Sequence, residues 1–188
     1  MRAKTWLGVV LAIPFNLYAQ QGFVLGAGTN VGRGDHVPMD FYRVSYTRDW
    51  DNTLYHYGNW RLKAHVEFSL IRLLADVDVK RKFASSTLTG IAATPVFRFS
   101  REPFANGLAP FAELGIGISY FSDSKIQSQP YWYRDYGSRF QFEDRLSFGF
   151  LYQNKYRLSL DYTHYSNFDI SPPNEGLDLV SASLGIVF

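Results

Sequence analysis

Residues Tyr156–Phe168, which read YRLSLDYTHYSNF, decide the fold. Tyr156, Leu158, Leu160 and Tyr162 share one parity, and that parity continues into His164 and Ser166. The other parity, Arg157, Ser159, Asp161, Thr163, Tyr165 and Asn167, is mostly polar. Side chains alternate between faces along a strand, so one face of this segment runs from apolar to chemically active. Seven further segments of alternating hydrophobicity lie at 22–32, 39–50, 59–74, 86–100, 108–122, 139–153 and 177–188. With 155–168 they make eight, each meeting the ~9–11 residues a tilted membrane-crossing strand needs. None carries a sustained helical period.

The third segment sets Trp60, Leu62, Ala64, Val66, Phe68 and Leu70 against Arg61, Lys63, His65, Glu67 and Ser69. A soluble eight-stranded barrel hides its apolar parity inside, whereas a membrane barrel turns it outward. Alternation alone fits both. Three features favour the membrane version. The polar parity mixes Gly and Ser with opposite charges, as a narrow interior filled by side chains requires. Trp60, Tyr120, Tyr152 and Tyr156 fall near segment ends, where aromatic girdles sit. The chain also ends inside a strand on Phe188, similar to the terminal signature of bacterial outer-membrane barrels. The expected fold is an all-β, eight-stranded antiparallel transmembrane barrel of the outer-membrane type.

Met1–Ala19 carries Arg2 and Lys4, then an apolar run, then a small residue, which predicts a secretory signal peptide cleaved after Ala19. Residues 20–188 then form one barrel domain. A net charge of +2 without a basic cluster gives no footprint for nucleic acid. Absence of cysteine excludes disulfides and thiolate metal sites. Four scattered histidines make no metal motif, and Gly26–Gly32 precedes no helix, so it is not a phosphate loop. His65 reads as an interior residue, while His36 and His56 fall in loops or turns. Long polar connections follow the third, fifth and seventh segments. They mark the outer side, because such barrels keep short periplasmic turns.

His164 and Ser166 therefore lie on the outward parity at the outer end of the seventh segment, close enough to share a hydrogen bond. An imidazole beside a hydroxyl is the minimal activated nucleophile, and a third group is needed to orient the imidazole. Asp178 opens the eighth segment on the outward parity, and hairpin pairing brings it beside them. Asp144 shares the outward parity of Phe142 and Leu146 and is a candidate contact for polar parts of a substrate. The bland reading is a polar barrel rim, where even Arg or Lys costs only about 0–1 kcal/mol.

The stretch His164-Tyr-Ser-Asn167, followed by Pro173-Asn-Glu-Gly-Leu-Asp178, resembles the active-site hairpin of the lipid A 3-O-deacylase (PagL) family. The resemblance extends to Pro110–Gly117 and Phe142–Arg145 and covers most of the second half of the chain. It implies a cofactor-free outer-membrane serine esterase that removes the 3-hydroxyacyl chain ester-linked at position 3 of lipid A. Its surroundings are membrane lipid, its substrate is lipopolysaccharide in the outer leaflet, and oligomeric state is left open. Carried over by position, the base matches His164 and the nucleophile Ser166, while the family's orienting Glu falls on Asp178, one methylene shorter. Glu175, in the loop, is the alternative acid. Asn167 is a candidate for supporting an oxyanion hole in the bend that follows Ser166. There the family continues with small residues and this chain has Phe168 and Asp169. Two other readings stand beside this one: a non-enzymatic barrel with binding loops, and another outer-membrane lipid hydrolase or acyltransferase.

Overall fold

Segments rich in β-branched and aromatic residues on one parity bury nothing by themselves, so they pair. The computed structural model describes residues 19–32, 38–50, 53–77, 85–127 and 132–188. The expected leader and His36 lie outside the described residues. The strands are β1 (Gln21–Val31), β2 (Met39–Asp49), β3 (Tyr55–Tyr57), β4 (Trp60–Ala75), β5 (Thr87–Arg101) and β6 (Leu108–Phe121). They continue with β7 (Lys125–Gln127), β8 (Tyr133–Asp135), β9 (Phe140–Tyr152), β10 (Tyr156–Ser166) and β11 (Leu177–Val187).

The eight long strands run antiparallel in the order β2-β1-β11-β10-β9-β6-β5-β4, and pairing of β2 with β4 closes the cylinder. Among the described residues closure leaves no long strand with a free edge, the condition for crossing a bilayer. Each of these strands matches its expected segment to within two residues at either end. The three short strands are not foreseen by alternation. β3 pairs with the start of β4, so His56 lies in a strand and not in a turn. β7 and β8 form a separate hairpin in the connection between β6 and β9.

The apolar parity faces outward, with Leu25, Leu70, Ile116, Phe148, Leu158, Leu160 and Leu184 all exposed. Trp60 stacks on Phe99 at 4.8 Å, and Phe23 sits between Tyr46 and Phe188, giving aromatic clusters at the end opposite the long loops. Two residues of the third segment depart from the expected exposure. Ala64 and Val66 are buried where the chain before β3 runs beside β4, with the Trp50 N–H donating to the Ala64 carbonyl at 2.8 Å.

The lumen is layered, which the expectation of a polar interior does not capture. Around its middle Arg145 grips both oxygens of Glu67 at 2.6 and 2.7 Å. Glu113 is shared by Arg98 at 2.6 Å and Arg157 at 2.7 Å. Buried charges survive only in such pairs. Toward the long-loop end the same inward parity turns apolar. There Met39, Phe41, Ile71, Leu73, Leu88, Phe121, Ile126 and Leu179 pack around Tyr165 as a plug. Behind the outer end of β10 there is thus packed protein, and only the outward face is open to a ligand.

Candidate active site on the outer wall

β10 enters the outer end of the barrel between β9 and β11. Register places His164 opposite Asp178 on one side and Asp144 on the other, while Ser166 stands opposite Phe142. Tyr165 holds this stretch from within: its hydroxyl donates to Glu143 Oε2 at 2.8 Å and accepts from Arg43 at 2.5 Å. Thr94 donates to the other oxygen of Glu143 at 2.9 Å. The residue between His164 and Ser166 is therefore anchored in the ion network, which fixes the two outward side chains around it.

His164 Nδ1 lies 2.7 Å from Asp178 Oδ1. A carboxylate only accepts, so Nδ1 carries the proton, and in the neutral ring the lone pair is on Nε2. Tyr162, one pleat below on the same face, donates its hydroxyl to the same Oδ1 at 2.6 Å. His164 and Asp178 are each about one-third exposed, within reach of a ligand but partly shielded. Asp144, half-buried, flanks His164 on the far side. Among the described residues, no group of three or more His, Cys, Asp or Glu side chains is placed to hold a metal.

Ser166 shares the face of His164 but is more sheltered, at 9% exposure, and no hydrogen bond joins its hydroxyl to the imidazole in this conformation. Phe142, its neighbour on β9, packs edge-on against Phe140 at 5.3 Å and Phe168 at 5.2 Å. After Ser166 the chain turns sharply. Phe168 and Asp169 both have φ of 57°, and the Ile170 N–H closes the turn on the Asn167 carbonyl at 3.2 Å. A bulky residue at positive φ is uncommon and marks strain worth noting next to a site.

Asn167 points inward, not toward the site. Its amide donates to the carbonyls of Tyr136 and Ser171, each at 2.6 Å, tying the turn to the loop segment before β9. Its own backbone N–H donates to Asn174 Oδ1 at 2.9 Å. Glu175 is drawn away from His164: its carboxylate accepts from the Asp135 N–H at 2.7 Å, and its own N–H donates to the Asp135 carbonyl at 3.1 Å. Of the two candidate acids, Asp178 alone touches the imidazole. Arg134 donates to the Gly176 carbonyl at 2.8 Å, so the β7–β8 hairpin braces the whole 167–176 loop. In that brace Lys125 is raised above its ordinary range, first by its hydrogen bond to Asp135, and burial pushes the Tyr136 phenol up.

Sequence reading gives no separate role to Tyr162 or to Gly176 of the quoted motif, and does not foresee the β7–β8 brace. Tyr162 was visible as the outward residue two before His164, but nothing in its surroundings distinguished it from a lipid-facing aromatic. Directly below the cluster the wall carries an apolar groove of about 470 Å³ lined by Leu146, Phe148, Leu160, Tyr162, Val180 and Ala182. Ala27 of β1 keeps it wide, because it projects only a methyl group, while Gly28 packs its backbone against Val180 and Ser181 of β11.

Similarity to known proteins falls on the same barrel. The lipid A deacylase PagL of Bordetella bronchiseptica is 31% identical over 159 residues, covering 82% of this chain and 79% of that protein. That of Pseudomonas aeruginosa is 26% identical over 140 residues, covering 74% of this chain and 73% of its own. The crystal structure of the outer membrane enzyme PagL superposes with a TM-score of 0.72 at 22% identity, over 88% of this chain and 98% of that one, and shares the fold. The family model described as lipid A 3-O-deacylase (PagL) matches residues 40–187, from the start of β2 to the end of β11, and the chain belongs to that family.

Proposed function

We propose that this protein is an outer-membrane serine esterase that hydrolyses the 3-O-linked acyl ester of lipid A, with Ser166 as nucleophile, His164 as base and Asp178 as the orienting acid. One observation carries the reading. In a chain of this family, a 2.7 Å imidazole–carboxylate bond sits on the lipid-facing wall, beside a serine on the same strand face.

His164 Nε2 takes the hydroxyl proton of Ser166 as Oγ attacks the ester carbonyl carbon. The tetrahedral intermediate collapses with breakage of the bond to the sugar oxygen, which receives that proton from the imidazolium, leaving an acyl-serine. Water, deprotonated by His164, then attacks the acyl carbon. Ser166 recovers its proton and a 3-hydroxy fatty acid leaves. Asp178 holds the Nδ1 tautomer and supports the transient positive charge. For Ser166 to donate to Nε2 the two side chains must come closer than in the conformation described above. Catalytic hydrogen bonds commonly tighten only when substrate is bound.

Position suits the substrate. An ester of an outer-leaflet glycolipid lies at the depth of the upper rim, and the groove below Tyr162 offers an acyl chain a path into the bilayer without extraction. The left-handed turn at Phe168 and Asp169 follows shortly after Ser166 along the chain. The backbone N–H groups of those two residues are the candidates to face a developing oxyanion, since those of Asn167 and Ile170 are already donated. Asn167 supports that turn from inside. Asp144, on the open flank of His164, is placed to meet polar groups of the substrate. The glycolipid is the partner, and no cofactor enters the reaction.

The test is the mass of lipid A before and after incubation with the folded barrel. Loss of one 3-hydroxyacyl group with wild type, and none with Ser166→Ala or His164→Ala of unchanged heat-modifiable mobility, is the expected result. Unchanged acylation with folded wild-type protein overturns the assignment. Release of fatty acid only from added phospholipid moves the protein to another lipid hydrolase.

A further inference from the structure

We propose that Tyr162 is a positioning residue of the site, holding the short Asp178 carboxylate in the one place from which it can orient His164. The proposal rests on the reading of His164 and Asp178 as base and acid.

A phenol on a lipid-facing wall needs a partner for its hydroxyl, because hydrocarbon supplies none. Tyr162 finds it in Asp178 Oδ1, 2.6 Å away, the same oxygen that accepts from His164 Nδ1 at 2.7 Å. Both donors come from β10 and the acceptor from β11, so the carboxylate is drawn across the strand pair by two bonds from one neighbour. The pairing partner of Tyr162 is Val180, one pleat below Asp178, and its ring reaches up diagonally past that partner. An aspartate anchored only by the imidazole keeps freedom about its side-chain torsions. A second, charge-assisted donor removes that freedom.

The contact also answers the departure at position 178. A glutamate there has the extra reach to follow the imidazole by itself, whereas an aspartate must be held toward it. Tyr162 further lines the apolar groove, so an acyl chain lying there covers the phenol. Exclusion of water strengthens the Tyr162–Asp178 bond when substrate is seated and leaves it weaker when the groove is open.

Tyr162→Phe tests this, since it keeps the ring in the groove and removes only the hydroxyl. The expected result is a fall in kcat of about tenfold with KM within about twofold of wild type, in the range set by one charge-assisted hydrogen bond. Asp178→Glu should remain active, and adding Tyr162→Phe to it should then cost less than about twofold, giving a non-additive cycle. Equal losses in the two backgrounds, an effect confined to KM, or an unchanged kcat in Tyr162→Phe overturns the role. So does an inactive, folded Asp178→Glu, because a longer acid should need no phenol. Ser166→Ala is run alongside. If it still deacylates, the reading of the site fails; if it is inactive while Tyr162→Phe is normal, only the role of Tyr162 fails.

Discussion

Gly176 lies so close to His164 that a Cβ built on it stands 3.0 Å from the imidazole Cε1 and 3.6 Å from Nε2. The Tyr165 carbonyl, 3.1 Å from the same point, closes the other side. A methyl group at position 176 is tight against both, and the imidazole, a side chain, gives more readily than the paired backbone of β10. Gly176→Ala should lower deacylation about tenfold, since displacement of a catalytic group by about 1 Å can cost ~10²-fold and the shift here is smaller. Barrel mobility on a gel should be unchanged. Wild-type turnover in this variant means that the imidazole edge beside Gly176 is not the one that handles the proton.

Asp178 and Glu175 are separated by their partners. Glu175 is spent on the Asp135 backbone, and Asp178 on the imidazole. Asp178→Asn removes the acceptor that fixes the tautomer and should reduce kcat by about 10²–10⁴-fold. Glu175→Gln should stay within about threefold of wild type. Rates measured on purified lipid A decide it, and the reverse ranking transfers the orienting role to Glu175.

Alternation made the eight long strands legible because lipid outside and packed side chains inside impose a strict period of two. The pairing of His164 with Asp178 was legible for the same reason: parity and hairpin direction suffice to bring them together. Three things were not. β7 and β8 are three residues each, too short to show a period, and they depend on contacts with the 167–176 loop. The apolar plug lies on the parity that begins with Glu67 and Ser69, so Ile71 and Leu73 look like a lapse in pattern until β7 covers the barrel mouth with Ile126. The reach of Tyr162 to Asp178 is a diagonal contact, and diagonals are set by rotamer and strand twist, which sequence spacing does not carry.

Arg145 and Glu67 form a two-pronged pair sealed in the lumen, with side-chain exposures of 5% and 2%. Arg145→Met strands the glutamate without its main partner, and breaking a buried pair in this way costs about 3–5 kcal/mol. The unfolding temperature read by heat modifiability should drop clearly. Adding Glu67→Leu removes the orphaned charge and should recover a large part of the loss. A single variant as stable as wild type means that water or another cation solvates Glu67 inside the barrel.

Leu160 and Tyr156 sit on the same outward face of β10, the first near mid-strand and the second beside the tight turn at Gln153–Lys155. Leu160 is 70% exposed within a continuous apolar wall that includes Phe148, Leu158 and Leu184, a patch that is a liability in water and none in hydrocarbon. Arginine on the lipid face costs about 2–4 kcal/mol at the bilayer midplane and about 0–1 near the interface. Leu160→Arg should therefore impair assembly or lower stability in lipid by that larger amount, and Tyr156→Arg should change it little. In water the order disappears, because an arginine at either exposed position is solvated. Folding in vesicles followed by mobility on a gel measures the difference, and equal behaviour of the two variants means that this wall does not face lipid. Because His164, Ser166 and Asp178 stand on the same wall, that outcome also removes their access to acyl chains in the membrane.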